Sequence, residues 1–294
     1  MATTITSAGT MFPKQLVSEM FEKANGHSAL AKLSAAKPIA FSGNDIMTFS
    51  LDGEASIVGE GTAKPAGSAD IKPVSISPIK FVYQHRVSDE FIRASEEGQL
   101  EYLQSFSNGF SAKISRALDI AAIHGVNPAD GVTSAAVSAK SFDTLITQKV
   151  TYAAATADNN IDDAVALIQD NDGAINGIAM ATGFAAALSK IKANNVSQYP
   201  EFRFGANPNA FVGIPCDVNS TMAFGASKDM AIVGDFANAF RWGYSANIPL
   251  EIIQYGDPDG LGDLKKLNQI VLRAEAYIGW GILDASSFAL IASA

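Results

Sequence analysis

A long stretch compatible with one α-helix limits how this chain can fold more than any other feature. It begins in HRVSDEFIRASEE (85–97) and continues to about His124. Apolar residues recur along it at steps of three and four, as on one helix face; these are Leu103, Phe106, Phe110, Ile114, Ala117 and Ala121. Ser88 can cap the helix, and Asp89 and Glu90 place negative charge at the positive end of its dipole. A helix from Asp89 to His124 would measure on the order of 50 Å, longer than a compact domain usually needs.

The residues before this helix predict a long β-hairpin. The stretch GEGTAKPAGSAD (59–70) is rich in Gly, Ala and Pro, which predicts a mobile tip. Apolar and polar residues alternate on its flanks. The phase of this alternation changes at Pro78, which predicts a bulge or bend because proline cannot donate to a strand ladder. Since a two-stranded ribbon is only marginally stable alone, we expect the hairpin to gain support from a neighbouring molecule.

A third elongated element lies near the end of the sequence. The run LNQIVLRAEAYIGWGIL (267–283) alternates like a strand throughout, and it is about three times as long as an average strand. A long helix, a long hairpin and a long strand in one chain of 294 residues are typical of a tile in an assembly.

Residues 160–262 alternate between helical and strand patterns, which predicts a domain with a mixed sheet. Helices are expected at NIDDAVALIQ, capped by Asn160, and at TGFAAALSKIKANN (182–195). Strands are expected at INGIAMA, FVGIPCDV, DMAIVGDF and AFRWGYS. The last of these carries three aromatic residues on one face, which are predicted to be core; they are Phe240, Trp242 and Tyr244.

Composition excludes several classes of protein. With 48% hydrophobic and 17% charged residues, the chain can bury a large core and is not expected to be disordered. A net charge of −9 argues against tight nucleic-acid binding, which needs Lys and Arg to neutralise phosphates. Neither a membrane-spanning apolar run nor a signal-peptide pattern is present. Cys216 is the only cysteine and is expected to be a buried apolar residue in a reducing cytosol.

Motifs that would indicate catalysis or metal binding are missing from the sequence. The three histidines are not at metal-ligand spacing from one another or from the cysteine; they are His27, His85 and His124. We interpret His85 as a half-buried strand residue. The nucleophile-elbow and phosphate-loop motifs are absent, and GEGTAKPAG lacks the third glycine of a dinucleotide fingerprint. The sequence therefore predicts no catalytic, cofactor-binding or metal-ligating residue.

The acidic turn GDPDGLGD (256–263) leaves two interpretations open. Its carboxylates, Asp257, Asp259 and Asp263, are the ligands that Ca²⁺ prefers, but their spacing is not that of an EF-hand loop. A solvated turn built from turn-forming residues explains the same composition and is favoured.

Four stretches, taken in order, resemble a known family: ASIVGEGTAKP with SISPIKFVYQHRVSDEF, then ALDIAAIHG, then FVGIP followed by IVGDF, and finally LRAEAYIGWGILDASSFALI. They are similar to the extended loop, spine helix, apical strands and closing strand of tailed-bacteriophage major capsid proteins with the Hong Kong 97-type fold. The resemblance covers about residues 13–294, and it rests on the order and spacing of the motifs.

The resemblance implies an α+β Hong Kong 97-type fold with five parts. These are an N-terminal arm (1–30), an extended β-hairpin loop (45–87), a spine helix (88–125), a peripheral domain that includes this helix (31–44, 88–148 and 264–282), and an apical mixed α/β domain (149–263 and 283–294).

The function that the resemblance implies is structural. A major capsid protein of this kind is not an enzyme, needs no cofactor, and self-assembles into hexamers and pentamers of an icosahedral shell around double-stranded DNA. The expected partners are other copies of the chain, portal, separate scaffolding and decoration proteins, and packaged DNA in weak non-specific proximity, with no membrane. The expected location is the virion capsid, after synthesis in the host bacterial cytoplasm. An encapsulin-like nanocompartment shell and a soluble α/β enzyme using residues 160–262 are the alternatives.

Five residues of the extended loop and the strand after it are predicted assembly contacts: Glu60, Lys64, Lys72, Tyr83 and Arg86. Some members of the family crosslink a loop lysine to an asparagine of a neighbour. Lys64 is placed for such a bond, but the sequence offers no matching acceptor, so a solvated lysine is the favoured interpretation.

Overall fold

The computed structural model describes residues 28–90, 96–225, 228–245 and 250–293. Its α-helices are α1 (Ala29–Leu33), α2 (Glu96–His124), α3 (Phe142–Leu145), α4 (Ala157–Gln169) and α5 (Thr182–Leu188). Its strands are β1 (Asn44–Asp52), β2 (Ser68–Ile76), β3 (Ile79–Ser88), β4 (Lys149–Thr151), β5 (Gly177–Met180), β6 (Lys192–Ala193), β7 (Val196–Ser197), β8 (Ala210–Phe211), β9 (Ile214–Val218), β10 (Asp229–Gly234), β11 (Phe240–Tyr244), β12 (Leu250–Ile253), β13 (Gln269–Ile282) and β14 (Phe288–Ala292). No helix in these ranges is long and apolar enough to cross a membrane.

The predicted long helix is α2. It has 29 residues, about 43 Å at 1.5 Å per residue, and it ends at the predicted residue His124. Gly125 follows with a φ of 66°, a left-handed conformation that glycine adopts without steric cost and that commonly ends helices. The predicted start is only partly visible, because Ser88 is the last residue of β3 and residues 91–95 lie outside the described residues.

The predicted long strand is β13, which has 14 residues and forms the centre of a four-stranded antiparallel sheet. Strand β3 pairs along one edge of β13, and β12 and β11 pair in succession along the other. Trp280 of β13 lies opposite Trp242 of β11, and both side chains are buried together with Phe240. The core predicted from the aromatic alternation is thus confirmed for Phe240 and Trp242, while Tyr244 is half-buried.

An extended segment before β1 covers the free edge of β11. The backbone N–H of Lys37 donates to the carbonyl of Trp242 at 2.9 Å, and that of Ile39 donates to the carbonyl of Tyr244 at 3.1 Å. The backbones approach so closely that a Cβ atom on Gly243 would lie 1.7 Å from the carbonyl oxygen of Lys37. The packing at this edge therefore requires a residue without a side chain.

Strands β1 and β2 form the predicted long hairpin, paired antiparallel from Asn44↔Ile76 to Asp52↔Ser68, with residues 53–67 as its tip. After Ile76 the chain leaves this ribbon and continues as β3 in the β13 sheet. The change of phase predicted at Pro78 is therefore the break between two sheets. The domain boundaries derived from the sequence group β3 with the extended loop, and β11 and β12 with the apical domain. These boundaries remain predictions.

The predicted mixed sheet has the strand order β4-β14-β10-β5-β9-β8, parallel at β4–β14 and β5–β9 and antiparallel elsewhere. Helices α4 and α5 contribute Ile168 and Phe184 to a second hydrophobic core on this sheet. Cys216 is buried in the same core, as predicted. Burial raises the pKa of its thiol to about 11, so it stays protonated.

Two predicted helix boundaries are wrong. Helix α4 begins at Ala157, and Asn160 is buried within it, where its side chain accepts from a backbone N–H seven residues earlier instead of capping the helix. Helix α5 ends at Leu188 instead of continuing to residue 195. The reason is local, because Asn194 and Asn195 take φ angles of 50° and 64° and turn β6 into β7 as a two-residue hairpin.

Candidate assembly surfaces and a buried polar junction

One face of the β1–β2 ribbon is an exposed apolar surface. Cross-strand pairing brings together six residues, which we call the ribbon stripe: Met47 with Pro73, Phe49 with Ile71, and Leu51 with Ala69. Phe49 is 63% exposed and Leu51 is 74% exposed. The ribbon is a separate two-stranded sheet, with no third strand among the described residues. A contiguous exposed apolar surface on a marginally stable ribbon is typical of an interface.

Within the described residues, the opposite face of the ribbon attaches it to the rest of the chain at its base. Ile76 is fully buried there, and its side chain packs closely over Gly279 and Gly281 of β13. Farther along, this face carries the exposed polar residues Ser50 and Lys72. The ribbon is therefore anchored at one end, with its stripe directed away from the body.

Three of the five predicted assembly residues lie on the ribbon. Glu60 and Lys64 are exposed in the tip. Lys72 forms an ion pair of 2.6 Å with Asp70, and both side chains are more than half exposed. Exposed pairs of this kind contribute little to stability. Ile57, also in the tip, is fully exposed and adds a large apolar side chain to the same region.

The other two predicted assembly residues lie on β3. Tyr83 is 42% exposed and its ring lies beside those of His85 and Phe106. His85 is half-buried, as predicted, and hydrogen-bonds the hydroxyl of Tyr102 at 2.8 Å. Burial lowers the pKa of His85. The ring of Tyr83 is thus partly exposed at the surface of β3, whereas the side chain of Arg86 is only 10% exposed.

Arg86 is surrounded by acceptors from the acidic turn 256–263. Its Nε donates to Asp259 Oδ2 at 2.8 Å, and its Nη2 donates to the carboxylate of Asp257 at 3.2 Å and to the Gly262 carbonyl at 2.8 Å. The contact with Arg86 lowers the pKa of Asp259 to about 2. The solvated-turn interpretation is thus wrong for Asp259, whose side chain is 15% exposed and holds a guanidinium.

An open groove of about 690 Å³ lies between β3, α2 and residues 126–137. Its lining is mainly apolar, with Phe110 and Ile114 on the helix side, and its cations are lysine and arginine side chains such as Lys113 and Arg116. None of its lining residues, all within the described part of the chain, is Asp, Glu, His or Cys. Its titratable side chains are those of Lys80, Tyr83, Lys113 and Arg116.

A buried polar junction fixes the start of α1 on the long helix. The fully buried carboxylate of Asp119 accepts from the backbone N–H groups of Ala29 and Leu30 at 2.8 and 3.3 Å, and from the hydroxyl of Ser28. It also accepts from the hydroxyl of Thr221 at 2.8 Å. Burial raises the pKa of Asp119 to about 6, although these donors act to lower it.

His124 continues this junction at the end of α2. Its Nε2 donates to the carbonyl of Thr221 at 2.9 Å. Its Nδ1 lies 3.1 Å from Oδ2 of Asp143 on α3 and 3.1 Å from Oδ2 of Asp229 on β10. Burial acts to lower the pKa of His124, but hydrogen bonds to the two carboxylates raise it to about 10. We call His124, Asp143 and Asp229 the His124 cluster.

Sequence reasoning missed both the ribbon stripe and the His124 cluster. The stripe has a local signal, since IMTFSLD (46–52) alternates large apolar and polar residues, and the exposure of such a face follows once no covering element is assigned. The cluster has no local signal. His124 and Asp143 lie on two helices and are 19 residues apart, and Asp229 comes from strand β10, so only the fold brings the three together.

Comparison with known proteins is consistent with the sequence analysis. The model of the Phage capsid family matches residues 8–293. A solved structure from Mycobacterium phage Ogopogo is similar with a TM-score of 0.79 and 33% sequence identity, over 91% of this chain and 92% of that chain. A structure from Gordonia phage Cozz is similar with a TM-score of 0.73 and 24% identity, over 90% of this chain and 86% of the other.

A more distant likeness shows the fold alone. The structure described as the capsid of a native GTA particle computed with C5 symmetry matches with a TM-score of 0.65 and 15% identity, over 92% of this chain and 90% of that chain. A comparison with curated protein sequences gave no match. The predicted mixed helix-and-sheet fold and the resemblance to phage capsid proteins are both confirmed. Because the family model covers nearly the whole sequence, this chain belongs to the phage capsid family.

Proposed function

We propose that the chain is a major capsid protein whose copies assemble into hexamers and pentamers of an icosahedral shell around double-stranded DNA. Family membership and the capsid structures support the formation of a shell. The observation that carries the assembly mechanism is the ribbon stripe, an apolar surface on a ribbon that the described part of the chain leaves uncovered. The stripe would lie on a neighbouring subunit, where burial of its apolar area stabilises the contact.

The predicted contact residues take different roles in this proposal. Glu60, Lys64 and Lys72 are exposed on the ribbon and would form the polar rim of its contact with the neighbour. Tyr83 would add a partly exposed aromatic edge on β3. Arg86 would act indirectly, because its donors are engaged by the acidic turn, which it holds in place for contact with another subunit.

The partners and location follow the same proposal. A net charge of −9 suits a container wall that stays close to packaged DNA without binding it tightly. The chain would be a virion component, made in the bacterial host cytoplasm and joined by portal, separate scaffolding and decoration proteins. The encapsulin-like and enzyme alternatives are not favoured, since the family is that of phage capsids.

The test compares one new charge on the two faces of the ribbon. Phe49→Lys places a lysine in the ribbon stripe, and Ser50→Lys places the same side chain on the opposite, polar face at the adjacent position. Full chains would be examined by negative-stain electron microscopy and analytical ultracentrifugation, with circular dichroism to check folding. We expect closed shells or capsomer rings from the wild type and from Ser50→Lys, and folded subunits that do not assemble from Phe49→Lys.

Four outcomes would contradict the proposal. A wild-type chain that stays monomeric, alone and when co-expressed with the genes adjacent to its own, would rule out shell formation. Normal assembly of Phe49→Lys would show that the stripe is not an interface. Equal loss of assembly in both lysine variants would show that the apolar face has no special role. Shells filled with a cargo protein instead of DNA would favour the encapsulin-like alternative.

A further inference from the structure

The His124 cluster has the geometry of a metal site. The Nδ1 atom of His124 lies 3.1 Å from one carboxylate oxygen of Asp143 and 3.1 Å from one of Asp229, and the three ligand atoms all lie within 4.8 Å of one another. The side chains of His124 and Asp229 are 4% and 8% exposed, whereas that of Asp143 is 32% exposed. The cluster is therefore enclosed on two sides and open to solvent at Asp143.

The other ring nitrogen of His124, Nε2, is a hydrogen-bond donor. It lies 2.9 Å from the carbonyl oxygen of Thr221, which can only accept, so Nε2 carries a proton. Metal-binding histidines commonly donate the second ring N–H to a carbonyl or carboxylate in this way, which fixes the ring and the tautomer. Nδ1 faces the two carboxylates: it donates to them while the ring is protonated, and its lone pair takes the same direction when that proton is lost.

Charge and hydrogen bonding in the cluster point to a cation. With both carboxylates ionised, a neutral imidazole leaves a charge of −2 and a protonated imidazole a charge of −1. Burial and the neighbouring carboxylate of Asp229 raise the pKa of Asp143, as expected where such charge is costly. A divalent ion with a neutral imidazole gives zero, which matters because uncompensated charge in a buried position is costly. In addition, Oδ1 of Asp143 is buried and has no hydrogen-bond partner among the described residues.

We propose that His124, Asp143 and Asp229 bind a divalent first-row transition-metal ion through Nδ1 and two carboxylate oxygens. Ligand atoms 3.1 Å apart subtend an angle of about 95° at an ion that lies about 2.1 Å from each. This angle is close to that of an octahedral site, in which water from the open side at Asp143 would complete the coordination. One imidazole and two carboxylates form a ligand set suited to Mn²⁺, Co²⁺ or Zn²⁺.

The ion would brace three separate elements. His124 ends the long helix, Asp143 lies on α3, and Asp229 begins the strand β10 of the mixed sheet. The ion would therefore join the hydrophobic core around α2 to the mixed sheet, next to the junction where Asp119 holds the start of α1. A proton on Nδ1 and the metal ion are alternative occupants of the same position, so binding would release one proton.

The experiment measures metal binding by the untagged full chain. Because the readout is bound metal, its result does not depend on whether the chain forms shells. Chain treated with EDTA and dialysed at pH 7.5 would be titrated with Co²⁺, followed by visible absorption, equilibrium dialysis and thermal melting. We expect one Co²⁺ per chain and an increase in Tm that depends on the Co²⁺ concentration. Asp143→Asn, which keeps the size of the side chain, should weaken binding at least tenfold, and Asp229→Asn should do the same.

The control is a second histidine outside the cluster. His85→Gln removes the half-buried imidazole on β3 and should leave the Co²⁺ stoichiometry and affinity unchanged. The proposal is overturned if the wild type binds no more Co²⁺ than Asp143→Asn, or if His85→Gln abolishes the binding instead. It is also overturned if ¹⁵N NMR shows that His124 keeps both ring N–H protons in excess metal, because the cluster would then be an ion triad around an imidazolium.

Discussion

The β1–β2 ribbon and the β13 sheet are both antiparallel β structure, but they differ in how much of their surface this chain covers. Strand β13 has both edges paired and most of its side chains buried. The ribbon has no partner strand in the described part of the chain, and its large apolar side chains Phe49 and Leu51 are exposed. The sheet is paired and buried within one chain, whereas the described residues leave the ribbon stripe exposed.

Folding stability and assembly therefore depend on different residues. A residue in the β13 sheet contributes to the free energy of unfolding of the single chain, because its contacts are intramolecular. Under the proposed function, a residue of the ribbon stripe makes most of its contacts after assembly, so its substitution should leave the single chain stable. Mutations in the two regions can therefore be separated by measuring folding and assembly independently.

The largest effect on folding is expected from Trp242→Ala. Trp242 is 1% exposed, lies opposite Trp280 and donates from its indole N–H to the carbonyl of Ser34 at 2.8 Å. Its loss should lower the free energy of unfolding by about 3–5 kcal/mol. Phe49→Ala removes an aromatic ring of the ribbon and should change this quantity by less than about 0.5 kcal/mol. Urea denaturation of the unassembled chain measures both, and similar losses would show that the ribbon is also part of the folding core.

The elements of the β13 sheet could be predicted because their signals are local. The alternation around Ile270, Leu272 and Ala274 reports a strand that is buried on one face, and the apolar steps of α2 report a helix. The end of that helix is encoded by Gly125, whose positive φ follows directly from its lack of a side chain. The pairing of β3 with β13 was not predicted, because alternation specifies a strand but does not specify its partner.

The sites depend on long-range geometry to a greater degree. Arg86 was identified from the sequence, but its engagement by Asp259 depends on a turn that lies 173 residues away. His124 was identified only as a lone histidine, because its carboxylate neighbours come from α3 and β10. A single sequence therefore gives the residue types of such clusters, and the fold determines which of them meet.

A smaller effect on the free energy of unfolding is expected from Gly243→Ala, at the close contact between β11 and the segment that covers its edge. In Gly243→Ala, the new Cβ would lie 1.7 Å from the carbonyl oxygen of Lys37, so the segment covering the edge of β11 must shift. We expect a loss of about 1–3 kcal/mol in the free energy of unfolding, as for other overpacked sites. The matched control is Gly109→Ala in α2, where a Cβ meets nothing within 4 Å; it should raise stability by about 0.5–1 kcal/mol. Thermal and urea unfolding of both variants test the opposite signs, and a loss at Gly109 would indicate that this helix face is already packed in the unassembled chain.

The smallest effect is expected on the pH dependence of Tm in acid. The test compares the Arg86–Asp259 ion pair with the Lys72–Asp70 pair of the ribbon. The contact with Arg86 lowers the pKa of Asp259 from its ordinary value of 3.8 to about 2. A carboxyl group with a lowered pKa in the folded state stabilises the fold above about pH 4, and this contribution is lost as the pH falls towards 2. Asp259→Asn should therefore flatten the decline of Tm between about pH 4 and 2. Asp70→Asn, which removes the partner of Lys72 on the ribbon, should leave this decline as it is, because that pair is exposed and local. A flattened decline in both variants would mean that the Lys72–Asp70 pair, like the Arg86–Asp259 pair, stabilises the single chain. The ribbon would then contribute to folding as the β13 sheet does, against the comparison made above.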